Sequence, residues 1–141
     1  MRDNRSIPAA TVIPELAYAD VGTAVAWLCD AFGFVERLRI GDHRAQLVYG
    51  AGAVVVTDQS REAASASQPS GHAVLVRVDE VDAHWARAAA AGARIVSPPT
   101  TYPFGERQYG ALDLGGHRWT FSQTVRDVDP ADWGGVLRAG G

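Results

Sequence analysis

Two stretches of this chain, one opening at Ile13 and one at His72, carry the same order of features. A repeat of that size restricts the fold more than any local propensity does. Ile13-Pro14-Glu15-Leu16-Ala17-Tyr18-Ala19-Asp20 reads as a strand entering the helical stretch Val21 to Phe32, which Gly33 stops. His72-Ala73-Val74-Leu75-Val76-Arg77-Val78-Asp79 reads the same way, entering Glu80 to Ala91 and stopping at Gly92. Asp20 to Gly33 and Asp79 to Gly92 both span 13 steps, so a shift of 59 aligns strand, helix start and helix stop. Tyr49 to Thr57 and Asp113 to Phe121 form a second echo, each a glycine-bearing turn followed by a strand.

With 141 residues, 47% of them hydrophobic, the chain can bury one core but not two ordinary ones. The repeats are therefore halves of a single domain. An arm covers 1–10, a first module 11–59, a small polar linker 60–70, a second module 71–123 and a tail 124–141. Within the first module the expected strands are Thr11 to Ala19, Phe34 to Ile40, Arg44 to Tyr49 and Ala53 to Thr57. In the second they are His72 to Val78, Ala93 to Val96 (broken by Pro98-Pro99), Arg107 to Leu112 and Arg118 to Ser122. Asp20 is a good N-cap for the first helix, and Asp129-Pro130-Ala131-Asp132-Trp133 reads as a short capped turn whose Trp133 docks on the body. The fold class is α+β, with βαβββ written twice.

Net charge is −3 and no basic run exceeds a pair, which argues against nucleic acid or an anionic membrane as partner. No apolar run approaches the ~18 residues of a membrane span, and no signal-type segment follows Met1. The single cysteine, Cys29, rules out an internal disulfide and fits the reducing cytoplasm; among apolar helix neighbours it reads as a packed side chain.

The chain resembles the vicinal oxygen chelate superfamily of glyoxalases, extradiol dioxygenases, thiol transferases and bleomycin-resistance proteins. The resemblance is carried by Asp20, Ala24, Trp27, Leu28 and Phe32-Gly33-Phe34, then by His72 to Asp79 and Asp113-Leu114-Gly115-Gly116-His117-Arg118-Trp119. Leu114 stands where the family usually has proline. The resemblance implies two tandem modules whose curved mixed sheet encloses a central cleft. It also implies that metal-dependent members hold a divalent ion with paired first- and last-strand residues. The resemblance implies ligands seven residues before each helix-starting Asp and four after each turn glycine, which in this chain are Ile13, His72, Thr120 and Val56. One imidazole and one hydroxyl do not hold a divalent ion. Glu15, two residues from Ile13, is the best additional donor, so His72 and Glu15 are the fallback metal candidates. Arg118 is a candidate cationic partner for Glu15, while His43 and His84 are expected to meet solvent and His117 to face away.

Without an ion the cleft would be an apolar small-molecule site. Trp119 and Phe121 alternate with Thr120 and are expected in the core, as is Trp27. Tyr102, Phe104 and Tyr109 are the expected stacking residues. The expected ligand-binding set is Glu15, His72, Tyr102, Phe104, Tyr109, Arg118 and Thr120, with no cofactor. The reading is metal-independent sequestration of an aromatic or amphipathic molecule, as in the bleomycin-resistance branch, by a homodimer in the cytoplasm. The alternative is a metal-dependent glyoxalase-, dioxygenase- or thiol-transferase-type enzyme.

Overall fold

The computed structural model describes residues 2–59 and 72–137; the expected linker 60–70 lies outside them. Its element order is β1 (Glu15–Tyr18), α1 (Val21–Phe32), β2 (Val35–Ile40), β3 (Arg44–Tyr49), β4 (Gly52–Asp58), then β5 (Val74–Arg77), α2 (Val81–Ala90), β6 (Arg94–Thr101), β7 (Glu106–Leu112), β8 (Arg118–Thr124) and a 3₁₀ turn Pro130–Trp133. The two modules form two four-stranded sheets of identical order, β1-β4-β3-β2 and β5-β8-β7-β6. In each, the first strand lies parallel to the last and the rest is antiparallel.

Local chemistry sets the boundaries. Pro14 has no N–H to give a ladder, and β1 starts one residue after it instead of at Thr11. Asp20 caps α1 by accepting from the Gly22 N–H, and Gly33 closes the helix at φ 84°, a conformation only glycine adopts without cost. The expectation that Pro98-Pro99 ends β6 fails. β6 is an edge strand that continues to Thr101, with its register shifted between Ser97 and Thr100, so the missing proline N–H groups cost no ladder bond.

The shift of 59 also needs correction. α1 begins at Val21 and α2 at Val81, and the residue in the N-cap position of α2 is Glu80, so strands and helix starts correspond at a shift of 60. Leu16 and Tyr18 then match Val76 and Val78, all turned toward the core, whereas 59 pairs buried Leu16 with Leu75, which is 64% exposed. α2 is shorter than α1, and that difference brings Gly33 and Gly92 back to 59.

One face of each sheet packs on the helices, and both faces share a single core. Phe32 of α1 meets Trp119 and Phe121 of β8 at 5.3 and 4.8 Å between ring centres. Phe32, Trp119 and Phe121 are fully buried as expected, each such ring worth about 1.5–3 kcal/mol of burial. The helices are tied across the modules as well. Arg87 of α2 donates to the carbonyls of Asp30 and Cys29 at the C-terminus of α1, where a cation also suits the helix dipole. Trp27 donates its indole N–H to the Ala91 carbonyl. Because the helix-side faces are joined in one core, the opposite face of each sheet turns outward.

The arm does not hang free. Pro8 is buried, and the Arg5 and Ser6 carbonyls accept from Arg37 and Gln46 on the outward face of the first sheet. In the tail, Trp133 touches Phe104 at 5.8 Å while remaining half exposed, within the Asp129-capped turn expected there.

Candidate functional site

The two hairpin turns that face the edge strands differ in length, and a groove follows from that difference. In the second module the paired residues Leu112 and Arg118 leave five residues between them, Asp113 to His117. This turn reaches the free edge of β1 and seals it. Asp113 accepts the Tyr18 hydroxyl at 2.7 Å and the Trp119 indole at 2.9 Å through one oxygen, and the Gly115 and His117 N–H groups through the other. His117 Nε2 lies 2.8 Å from the Ala17 carbonyl, so Nε2 carries the proton. Burial first, and then the Asp113 charge, pushes the Tyr18 phenol far above its ordinary range, keeping it a donor.

In the first module Tyr49 pairs with Gly52 and only Gly50 and Ala51 intervene. That short turn does not close on the edge of β5. What remains is a groove of about 560 Å³, walled by Tyr49 to Val54 and Phe34 on one side and Val74 to Asp79 on the other, with Val12 and Pro14 beside them. Its lining is mainly aliphatic and aromatic, with Arg77 and Asp79 as the charged groups. Burial, and second the Asp79 charge, raises the Tyr49 phenol, so it also stays protonated.

None of the residues expected from the sequence lines this groove. Glu15 is an exposed outward-facing carboxylate paired at 2.9 Å with Arg44 of β3 in its own sheet, and not with Arg118, which belongs to the other sheet. Arg118 is exposed at the start of β8. His72 is exposed ahead of β5, its ring centre 6.5 Å from that of His117. Thr120 faces outward, half-buried, opposite Leu75 and Gly110. Tyr102 and Phe104 do come together, stacked within 3° of parallel at 5.4 Å, at the turn between β6 and β7.

Two residues lie where the sequence did not lead. Tyr109 is fully buried on the helix side, where it offers no face to a ligand, because the alternation of β7 turns it inward with Ala111. His84, expected in solvent, is its partner. Nδ1 accepts the Tyr109 hydroxyl at 2.6 Å and Nε2 donates to the Phe32 carbonyl at 2.9 Å. Desolvation is the main reason the imidazole pKa falls, which favours the neutral ring those two bonds require.

The donor set does not fit a metal ion. Val56 belongs to the core face, and its outward neighbour Val55 is the residue that corresponds to Thr120. The outward positions across the parallel strand pairs are thus Glu15 with Val55 and Leu75 with Thr120. Among the described residues no three His, Cys, Asp or Glu side chains gather within reach of one ion.

The twice-written module has relatives among known proteins. Residues 10–121 match the profile of the Glyoxalase/Bleomycin resistance protein/Dioxygenase superfamily. TioX from Micromonospora sp. ML1 is 41% identical, with 82% of this chain and 99% of that one covered and a TM-score of 0.69. A glyoxalase/bleomycin resistance protein/dioxygenase family enzyme from Burkholderia phytofirmans PsJN shares the fold at 19% identity, covering 82% and 99% of the two chains with a TM-score of 0.71. The fosfomycin resistance protein FosX of Listeria monocytogenes does so at 14% identity, 83% and 94% coverage and a TM-score of 0.66. No curated protein matches the chain. By the profile over most of its length and by its likeness to TioX, the chain belongs to the glyoxalase/bleomycin resistance protein/dioxygenase superfamily.

Proposed function

We propose that this protein binds a small aromatic or amphipathic molecule without a metal ion and without making or breaking a bond, a sequestering role of the antibiotic-resistance kind. The observation that carries the reading is the groove along β5: about 560 Å³, largely apolar, with two charged groups at its edge. That size and lining suit a drug-sized ligand, whose apolar body would lie against Phe34, Tyr49, Val54 and Val76. Arg77 and Asp79 would orient its polar end. The donor set supports the metal-free half of the reading, since Glu15 is held by Arg44 and aliphatic side chains take the neighbouring outward positions.

We also propose a homodimer. The outward face of the second sheet leaves Leu75 and Val96 open to solvent, and a second copy would cover them. Among the described residues no helix is long and apolar enough to cross a membrane. Native mass spectrometry with elemental analysis tests the whole reading. Expected are a dimer, a small apolar molecule retained or taken up at one per groove, and no stoichiometric first-row metal. One metal ion per chain, removed by Glu15→Ala or His72→Ala, would overturn it.

A further inference from the structure

On the outward face of the first sheet Gln46, Val55 and Thr57 are 3%, 4% and 6% exposed, and the N-terminal arm lies against Gln46. Arg37 donates to Gln46 Oε1 at 2.6 Å, which leaves Nε2 as the free end of the amide, and Nε2 donates to the Ser6 carbonyl at 2.8 Å. Arg37 also donates to the Arg5 carbonyl at 3.0 Å. Two consecutive peptide carbonyls are therefore read by one preset pair of side chains, and Pro8 is pressed in beside them. Arg2 to Ile7 are otherwise exposed, so little beyond these contacts opposes the entropy of a free arm.

We propose that the arm is a displaceable strap, and that the face beneath it, at Gln46 and Arg37, is a binding site for an extended molecule carrying successive amide carbonyls, occupied in the resting protein by the chain's own Arg5–Pro8 segment. The donors contact only main-chain oxygens, so the site selects amide spacing and not side-chain identity. It lies apart from the groove along β5 and does not depend on the function assigned there.

The full chain supplies the test, because trypsin cuts after Arg5 only when that bond leaves the sheet. Cleavage there, followed by the mass lost from the N-terminus, is expected to be slow in the wild type and at least tenfold faster in Gln46→Ala. Gln46→Glu keeps the shape and the Arg37 contact but has no N–H to donate, and it should release the strap equally while the melting temperature reports intact folding. The probe N-acetyl-Ser-Ile-Pro-Ala-amide offers an acetyl carbonyl in place of that of Arg5 and contains no trypsin site. It should speed wild-type cleavage saturably and leave both variants unchanged. Equal cleavage rates in wild type and variants would overturn the strap; acceleration by the variants without any effect of the probe would overturn the amide site. Ligand uptake by the groove, read separately, is unaffected by either result.

Discussion

Asp113 shows how much one side chain can organise. Its two oxygens accept from Tyr18, Trp119, Gly115 and His117, joining the second module's turn to the first module's edge strand. Replacement by alanine strands two buried donors, Tyr18 and Trp119, and should cost about 3–4 kcal/mol, read as a lowered melting temperature. His84 makes a pH-dependent contribution of known sign. Its folded pKa lies below the unfolded value of about 6.5, so the unfolded chain binds more protons between the two values. The stability it contributes is full above ~6.5 and is lost as pH falls from there toward the folded value. Urea titrations at neutral and mildly acidic pH should show this loss in wild type and a smaller one in His84→Gln. Periodicity alone places this histidine inward, on the buried stripe with Val81 and Ala88, but its partners, Tyr109 and the Phe32 carbonyl, are distant in sequence and carry no local signal.

At the scale of elements, the helix N-termini are unequal. Asp20 caps α1 with its own side chain, whereas Glu80 makes no such bond and Val81 N–H is met from β8 by the Gln123 amide oxygen at 2.9 Å. Glu80→Ser should therefore stabilise the protein by about 0.5–1 kcal/mol in chemical denaturation, since a short hydroxyl in that position reaches the N–H groups a glutamate overshoots. The Asp82–Arg107 pair, its carboxylate mostly in solvent, should add little. Element type and order were legible because period and punctuation agree: apolar residues at helical spacing, glycine stops and alternating strands. What misled was Asp79, which copies Asp20 at a shift of 59 while the first strands and the helix starts correspond at 60. A slip of one residue in a strand reverses its faces: counting four on from Gly52 as from Gly116 sets Val56 against Thr120, whereas Val55 is the residue that corresponds to Thr120, and so core Val56 entered the ligand set.

For the molecule as a whole, the helices join the two sheets through one core, and the groove along β5 is a concave, mainly apolar feature among the described residues. That groove arises from a difference of three residues between the turns 50–51 and 113–117. The difference is present in the sequence, yet its consequence depends on which strand edge each turn faces, and no local pattern encodes that. Tyr102 and Phe104, expected from their Pro- and Gly-rich loop to stack on a ligand, stack on each other and lie outside the groove lining. The most direct measurement of metal-free apolar binding is a fluorescence titration with 8-anilinonaphthalene-1-sulfonate, with and without a chelator, on wild type, Val12→Asp and Ala51→Trp. Val12 and Ala51 both line the groove and are exposed, so neither change threatens the core. Expected is saturable binding indifferent to the chelator and weakened about tenfold in both variants, the loss of ~1.4 kcal/mol. Binding abolished by the chelator, or unchanged in both variants, would contradict it.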